Sequence, residues 1–94
     1  MLKIIKKINK AKVGRGNVIG SQYIIKTNKL FFRGEYLNSK RNGKGKEYYG
    51  DGKITFEGEY LKGKRNGKGK EYYDNINIRF KGEYLNGKKW NVIL

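Results

Sequence analysis

Cysteine and histidine are both absent from this 94-residue chain. Their absence removes disulfides, thiolate nucleophiles, imidazole bases and the usual transition-metal ligands together. No window approaches the roughly 18 consecutive apolar residues of a spanning helix, and the opening MLKIIKKINKAKV breaks its apolar run with lysines too often for a secretory signal. The expected location is therefore intracellular and cytoplasmic, with association to a membrane or the cytoskeleton as a further expectation. Acidic residues are scarce, 8 against 23 Lys and Arg, for a formal charge of +15, and residues 1 to 31 contain none. Long-range attraction is thus toward anions such as nucleic acid, acidic lipid or acidic protein. The length predicts one small domain.

What the chain does contain is repetition. KRNGKGKEYY stands at residues 40–49 and again at 64–73, and the longer segments 32–55 and 56–79 share 16 of 24 aligned residues. A third copy opens at Phe80 with FKGEYLNGKK, so Phe32, Phe56 and Phe80 are spaced by 24 residues, a period typical of repeat arrays. Within each unit, ITFEGEYL and GKGKEYY alternate in character and read as strands, joined by a loop containing Asn66-Gly67 and followed by a tight turn at Asp51-Gly52. The predicted fold is all-β, a row of antiparallel hairpins. Period-two geometry puts Phe56, Gly58 and Tyr60 on one face and Glu57, Glu59 and Leu61 on the other. An odd pairing sum sets Glu59 across from Lys68 or Lys70, and Tyr60 over Gly67 or Gly69.

The G-E-Y-L, K-R-N-G-K-G and paired aromatics of these units resemble the MORN repeat family over residues 32 to about 89. The resemblance implies an elongated, single-layer twisted sheet of stacked hairpins, serving mainly as a protein-interaction or dimerisation module. The family's name records a proposed membrane association, and members also accompany lipid kinase and histone lysine methyltransferase domains. The repeat positions that would carry the architecture are Phe32, Gly34, Tyr36, Gly43, Gly45, Phe56, Gly58, Tyr60, Gly67, Gly69, Phe80, Gly82 and Tyr84. The expected organisation is a basic segment at 1–20, disordered or amphipathic, a degenerate half-repeat at 21–31, repeats at 32–55 and 56–79, and an incomplete repeat at 80–94.

Departures from the pattern carry expectations of their own. Ile76 replaces the turn glycine Gly52, which predicts a left-handed Asn75 or Asn77 in the second inter-unit turn. NGKKWNVIL lacks the expected N-G-x-G, so the third unit reads as ending before its second strand, as in a truncated gene product. That leaves residues 78–86 as an exposed edge for another chain. YIIKTNKLF at 23–31 aligns at an offset of 24 with EYYGDGKIT, with a turn at Thr27-Asn28.

No catalytic, cofactor or metal site is expected. Glu35, Glu59 and Glu83, like Glu47 and Glu71, recur at fixed repeat positions and read as cross-strand partners of lysine, since a catalytic pair should be singular and shielded. GRGNVIG at 14–20 misses the dinucleotide spacing, and GKRNGKGK lacks the phosphate-loop pattern. Cations remain the candidates for anion or lipid contact. They are Lys3, Lys6, Lys7, Lys10 and Lys12, on an N-terminal segment whose Ile4, Ile5, Ile8 and Ala11 stand near helical spacing, and Lys40, Arg41, Lys64 and Arg65, placed in exposed inter-strand loops. The expected function is a non-enzymatic interaction or scaffold module for a protein partner or a second copy, with an anionic membrane surface second and unspecific nucleic-acid binding third.

Overall fold

The computed structural model describes residues 4–12 and 16–92. Eight strands follow one another across a single antiparallel sheet in sequence order: β1 Ile4–Lys12, β2 Val18–Ile24, β3 Lys29–Leu37, β4 Lys40–Tyr48, β5 Ile54–Leu61, β6 Lys64–Tyr72, β7 Ile78–Leu85 and β8 Lys88–Val92. Among the described residues there is one layer and no second sheet to bury against. The core is instead a row of rings lying along one face.

Phe32, Tyr36, Phe56, Tyr60 and Tyr84 are buried, with Phe80 partly so. Their rings meet edge to face at centroid distances of 5.2 to 5.7 Å, the arrangement that ring quadrupoles favour. Each tyrosine touches the phenylalanine of its own hairpin and, at Tyr60 and Tyr84, that of the hairpin before. Burial is therefore shared between repeats, as in other stacked arrays.

Glycine makes room for this row. Gly34, Gly45, Gly58, Gly69 and Gly82 pair with one another in succession across five strands. A Cβ at Gly69 would lie 2.7 Å from Phe56 Cε1 and 2.9 Å from Tyr84 Cε1. The equivalent atom at Gly45 would meet Phe32 Cζ at 2.5 Å and Tyr60 Cε1 at 3.0 Å. Tyr60 thus sits over Gly45 of the preceding hairpin, rather than over Gly67 or Gly69 of its own. The odd pairing sum holds, with Phe56 opposite Glu71 and Gly58 opposite Gly69, but it slips beyond Gly58, so Tyr60 pairs with Arg65.

The slip is a bulge, and it moves the turn. Asn66 and Gly67 lie inside β6, and the hairpin closes at Lys62 (φ 51°) and Gly63 (φ 88°). Asn38-Ser39 and Asn86-Gly87 close the other two hairpins with the same paired positive φ angles, the signature of the tight turns that suit twisted strands. Gly43 (φ 107°) and Gly67 (φ 99°) supply the bulge, a conformation open mainly to glycine.

Several other expectations change. Residues 4–12 form β1, paired with β2 from Ile4 opposite Ile24 to Lys12 opposite Val18, so the segment is neither disordered nor an amphipathic helix. The third unit does have a second strand, β8, which covers β7 through Gly82–Val92 and Leu85–Lys88. The edge therefore falls at β8 instead of residues 78–86. In the second inter-unit turn neither Asn75 nor Asn77 takes a positive φ. Asp74 organises it by accepting hydrogen bonds from the Ile76 and Asn77 amides, both 2.8 Å. In the first, Gly52 has φ 87° and its N–H donates to Tyr49 O. Finally, Gln22 pairs with Phe32 as Glu47 pairs with Phe56, an offset of 25 and not 24.

Candidate interaction surface

On the ring face, Arg41 and Arg65 do not stand in loops. Both lie in strands, β4 and β6, two residues past the turn, where the side chain falls across the aromatic row. The Arg41 guanidinium sits 3.9 Å from the centroid of Phe32, and that of Arg65 sits 3.9 Å from Phe56. Lys89, at the same repeat position, covers Phe80 at 4.6 Å. Stacking of this kind is attractive because the ring face carries the negative end of its quadrupole.

Carboxylates complete the row. Arg65 donates to Glu47 through Nε at 3.1 Å and Nη2 at 3.0 Å, and its Nη1 reaches Glu71 at 3.4 Å. Glu47 also lies 3.7 Å from Arg41, Lys89 lies 3.2 Å from Glu71, and Arg41 Nε donates to Gln22 at 2.9 Å. The polar ladder Gln22, Arg41, Glu47, Arg65, Glu71, Lys89 thereby links successive hairpins. The Tyr60 and Tyr84 hydroxyls donate to Glu47 and Glu71 from beneath. Burial by itself would raise the Glu47 carboxyl, but hydrogen bonds from Arg65 and Tyr60 and the charges of Arg65 and Arg41 outweigh it and hold the group below the ordinary glutamate value. Glu71 is lowered likewise against burial, by Tyr84, Lys89 and Arg65. Tyr60 and Tyr84 are pushed up, first by burial and then by their carboxylate partners.

Glu47 and Glu71 are thus partners of arginine and tyrosine more than of lysine. Glu59 does stand across from a lysine, Lys44, as Glu83 does from Lys68, and Glu35 and Glu59 have a further use: they accept the main-chain N–H of Lys44 at 2.8 Å and of Lys68 at 2.7 Å, clamping the bulges at Gly43 and Gly67. Asn42 and Asn66 reach forward to the next turn, accepting from the amides of Lys62 and Asn86. These contacts explain the repeated KRNGKGKEYY: Arg covers the ring, Asn holds the next turn, one Gly bulges, the next admits two rings, and Glu anchors the following Arg. Among the described residues, no three carboxylates gather to hold a metal ion.

The ring face is consequently closed over by its own side chains. On the opposite face, a groove of about 920 Å³ crosses the strands above Gly34, Gly45, Gly58, Gly69 and Gly82. One wall follows the paired residues Arg33, Lys46, Glu57, Lys70 and Lys81; the other carries Lys44, Glu59 and Lys68. Within the first wall Lys46 lies 3.9 Å from Glu57, which also accepts the Tyr72 hydroxyl. Burial and then Glu57 push Tyr72 up to about 12. Sequence reasoning missed this wall, although the varying letter in FRGEYL, FEGEYL and FKGEYL marks it: those letters are Arg33, Glu57 and Lys81. Of the cations singled out earlier, Lys40 and Lys64 are exposed beside the turns, Lys6, Lys7, Lys10 and Lys12 belong to β1, and Lys3 lies outside the described residues.

Comparison with known families agrees with this architecture. The MORN repeat model matches residues 32–54 and 56–75, which are most of the β3–β4 hairpin and most of the β5–β6 hairpin, each with residues of the connection that follows. No curated protein matches the chain. MORN repeats generally occur in protein- and membrane-interaction modules and are generally non-enzymatic. Residues 32–54 and 56–75 are thus two tandem MORN repeats, set in an all-β single-layer sheet whose polar ladder repeats with them.

Proposed function

We propose that the chain is a non-enzymatic protein-binding module whose working surface is the groove above the paired glycines. The observation that carries this reading is the division between faces. The rings are sealed by Arg41, Arg65 and Lys89, whereas the opposite face offers an open concavity, the usual form of a binding site. The repeated carboxylates are engaged in holding bulges and arginines, which speaks for structural roles over acid–base chemistry. A photo-crosslinking residue introduced at Lys46 in the groove should yield a defined protein adduct in cells, while the same residue at Lys53 in an inter-unit turn should not. Equal labelling from both positions would contradict the reading.

A second reading, attachment to an anionic membrane, is favoured by Lys40, Lys62, Lys64 and Lys88, exposed together at the hairpin tips. Clustered lysines contribute about 1 kcal/mol each near such a surface. Co-sedimentation with vesicles containing phosphatidylserine, compared with neutral vesicles at low and high salt, tests it directly. Nucleic acid is less favoured because the phenylalanines and tyrosines of the row are used in internal packing and cannot stack on bases.

A further inference from the structure

The two walls of the groove differ in charge pattern. Across one, acidic and basic residues alternate, with Lys44 opposite Glu59 and Lys68 opposite Glu83. Across the other, like charges face one another, Arg33 opposite Lys46 and Lys70 opposite Lys81. Directly opposed like charges weaken a sheet. The source is one repeat position, occupied by Arg33, Glu57 and Lys81 in turn, while the residues around it barely vary. Glu57 makes the favourable pairing, with Lys46 and Lys70 on either side; Arg33 and Lys81 forgo it.

We propose that this wall takes an extended acidic segment of a protein partner, with Arg33/Lys46 and Lys70/Lys81 as two carboxylate-binding stations on either side of Glu57. The inference rests on the reading of the groove as a protein-binding surface and specifies its ligand. The stations are three strand spacings apart, roughly 14 Å, close to the ~13 Å between residues four apart in an extended chain. Glu57, sitting between them, favours a segment whose acids are interrupted by a neutral or basic residue over a uniformly charged polyanion. A second copy of the chain is a poor occupant, because each carries a formal charge of +15. Base stacking is unsupported, since the described ring row lies on the other face.

The test is panning of a random displayed 12-residue peptide library against the intact chain, followed by fluorescence anisotropy of enriched peptides on wild type and on Lys81→Glu. Acidic sequences should dominate, and Lys81→Glu should weaken their binding by roughly tenfold while raising the thermal midpoint, because Lys70 gains an opposite charge. A merely structural role for Lys81 would not move the two readouts in opposite directions. If neutral or basic peptides are enriched and bind the groove, the acidic ligand is overturned while protein binding stands. If no peptide is enriched but phosphatidylserine vesicles or polyuridylate bind, both are overturned. If acidic peptides bind Lys81→Glu as well as wild type, this wall is not their site.

Discussion

Arg65 of one hairpin grips Glu47 of the hairpin before it, with two hydrogen bonds of 3.1 and 3.0 Å, while its guanidinium sits 3.9 Å from the centre of the Phe56 ring. A single side chain therefore joins the polar ladder to the ring row. Both partners are largely withdrawn from water, with side-chain exposures of 27% and 16%, so the pair is more than a surface contact. Arg65→Ala should cost about 2 kcal/mol of unfolding free energy, since it leaves Glu47 with only Arg41 and the Tyr60 hydroxyl and bares the ring. Arg65→Lys should recover only part of this, because an ammonium cannot stack and donate twice. Lys89→Arg, at the equivalent position, should stabilise the last hairpin by about 0.5 kcal/mol. Urea denaturation of the three variants reads all of these.

The glycines separate by mechanism. Gly45→Ala places a methyl 2.5 Å from Phe32 Cζ and should cost about 2 kcal/mol or more through overpacking. Gly52→Ala meets nothing within 4 Å but keeps φ 87°, so its cost should be near 1 kcal/mol, from backbone strain alone. Thermal unfolding that ranks Gly52→Ala as the worse change would contradict this assignment.

The first hairpin turn is improvable. Ser39 adopts φ 66°, where Gly63 and Gly87 occupy the matching positions. A non-glycine residue there bears a steric cost of about 1 kcal/mol, so Ser39→Gly should raise stability by a comparable amount, read as a higher urea midpoint at unchanged slope.

Much of the hairpin array was legible because ring, glycine and turn residues recur at fixed spacing, and recurrence is a long-range signal. The bulge was not. Nothing in NGKG says whether Asn-Gly closes the hairpin or bends a strand, and the choice moved the turn to Lys62-Gly63 and placed Arg65 on a strand. An Arg65 read as a loop residue has no contact with Phe56, so its role over the ring stays hidden in the sequence. The strand at 4–12 was hidden for another reason: its isoleucines suit helical spacing as well as a paired strand, and its partner β2 lacks the repeat's letters. The groove wall escaped because only one residue per repeat varies there.

Acid should loosen the array. Glu47 and Glu71 have carboxyl pKa values lowered in the folded state. Their contribution is thus complete above the unfolded glutamate value of about 4.3 and lost progressively as pH falls through the folded values. Stability should be flat near neutrality and drop below about pH 4, with Glu47→Gln showing a shallower drop from a lower plateau. Raised tyrosines act at the other end: the contribution of Tyr72, pushed to about 12, begins to be lost above the unfolded value of about 10. Circular dichroism across pH follows both limbs.

The division of labour between the faces is most directly tested by amide chemical shifts during titration of the intact chain with a 12-residue peptide repeating Asp-Ser-Ser-Ser, whose acids recur every four residues. The account predicts that the floor glycines, Gly45, Gly58 and Gly69, shift in concert while the turn glycines Gly52, Gly63 and Gly87 stay fixed and the ring protons of Phe56 and Tyr60 are unmoved. Shifts concentrated in the turn glycines or the rings, with a silent floor, would contradict it.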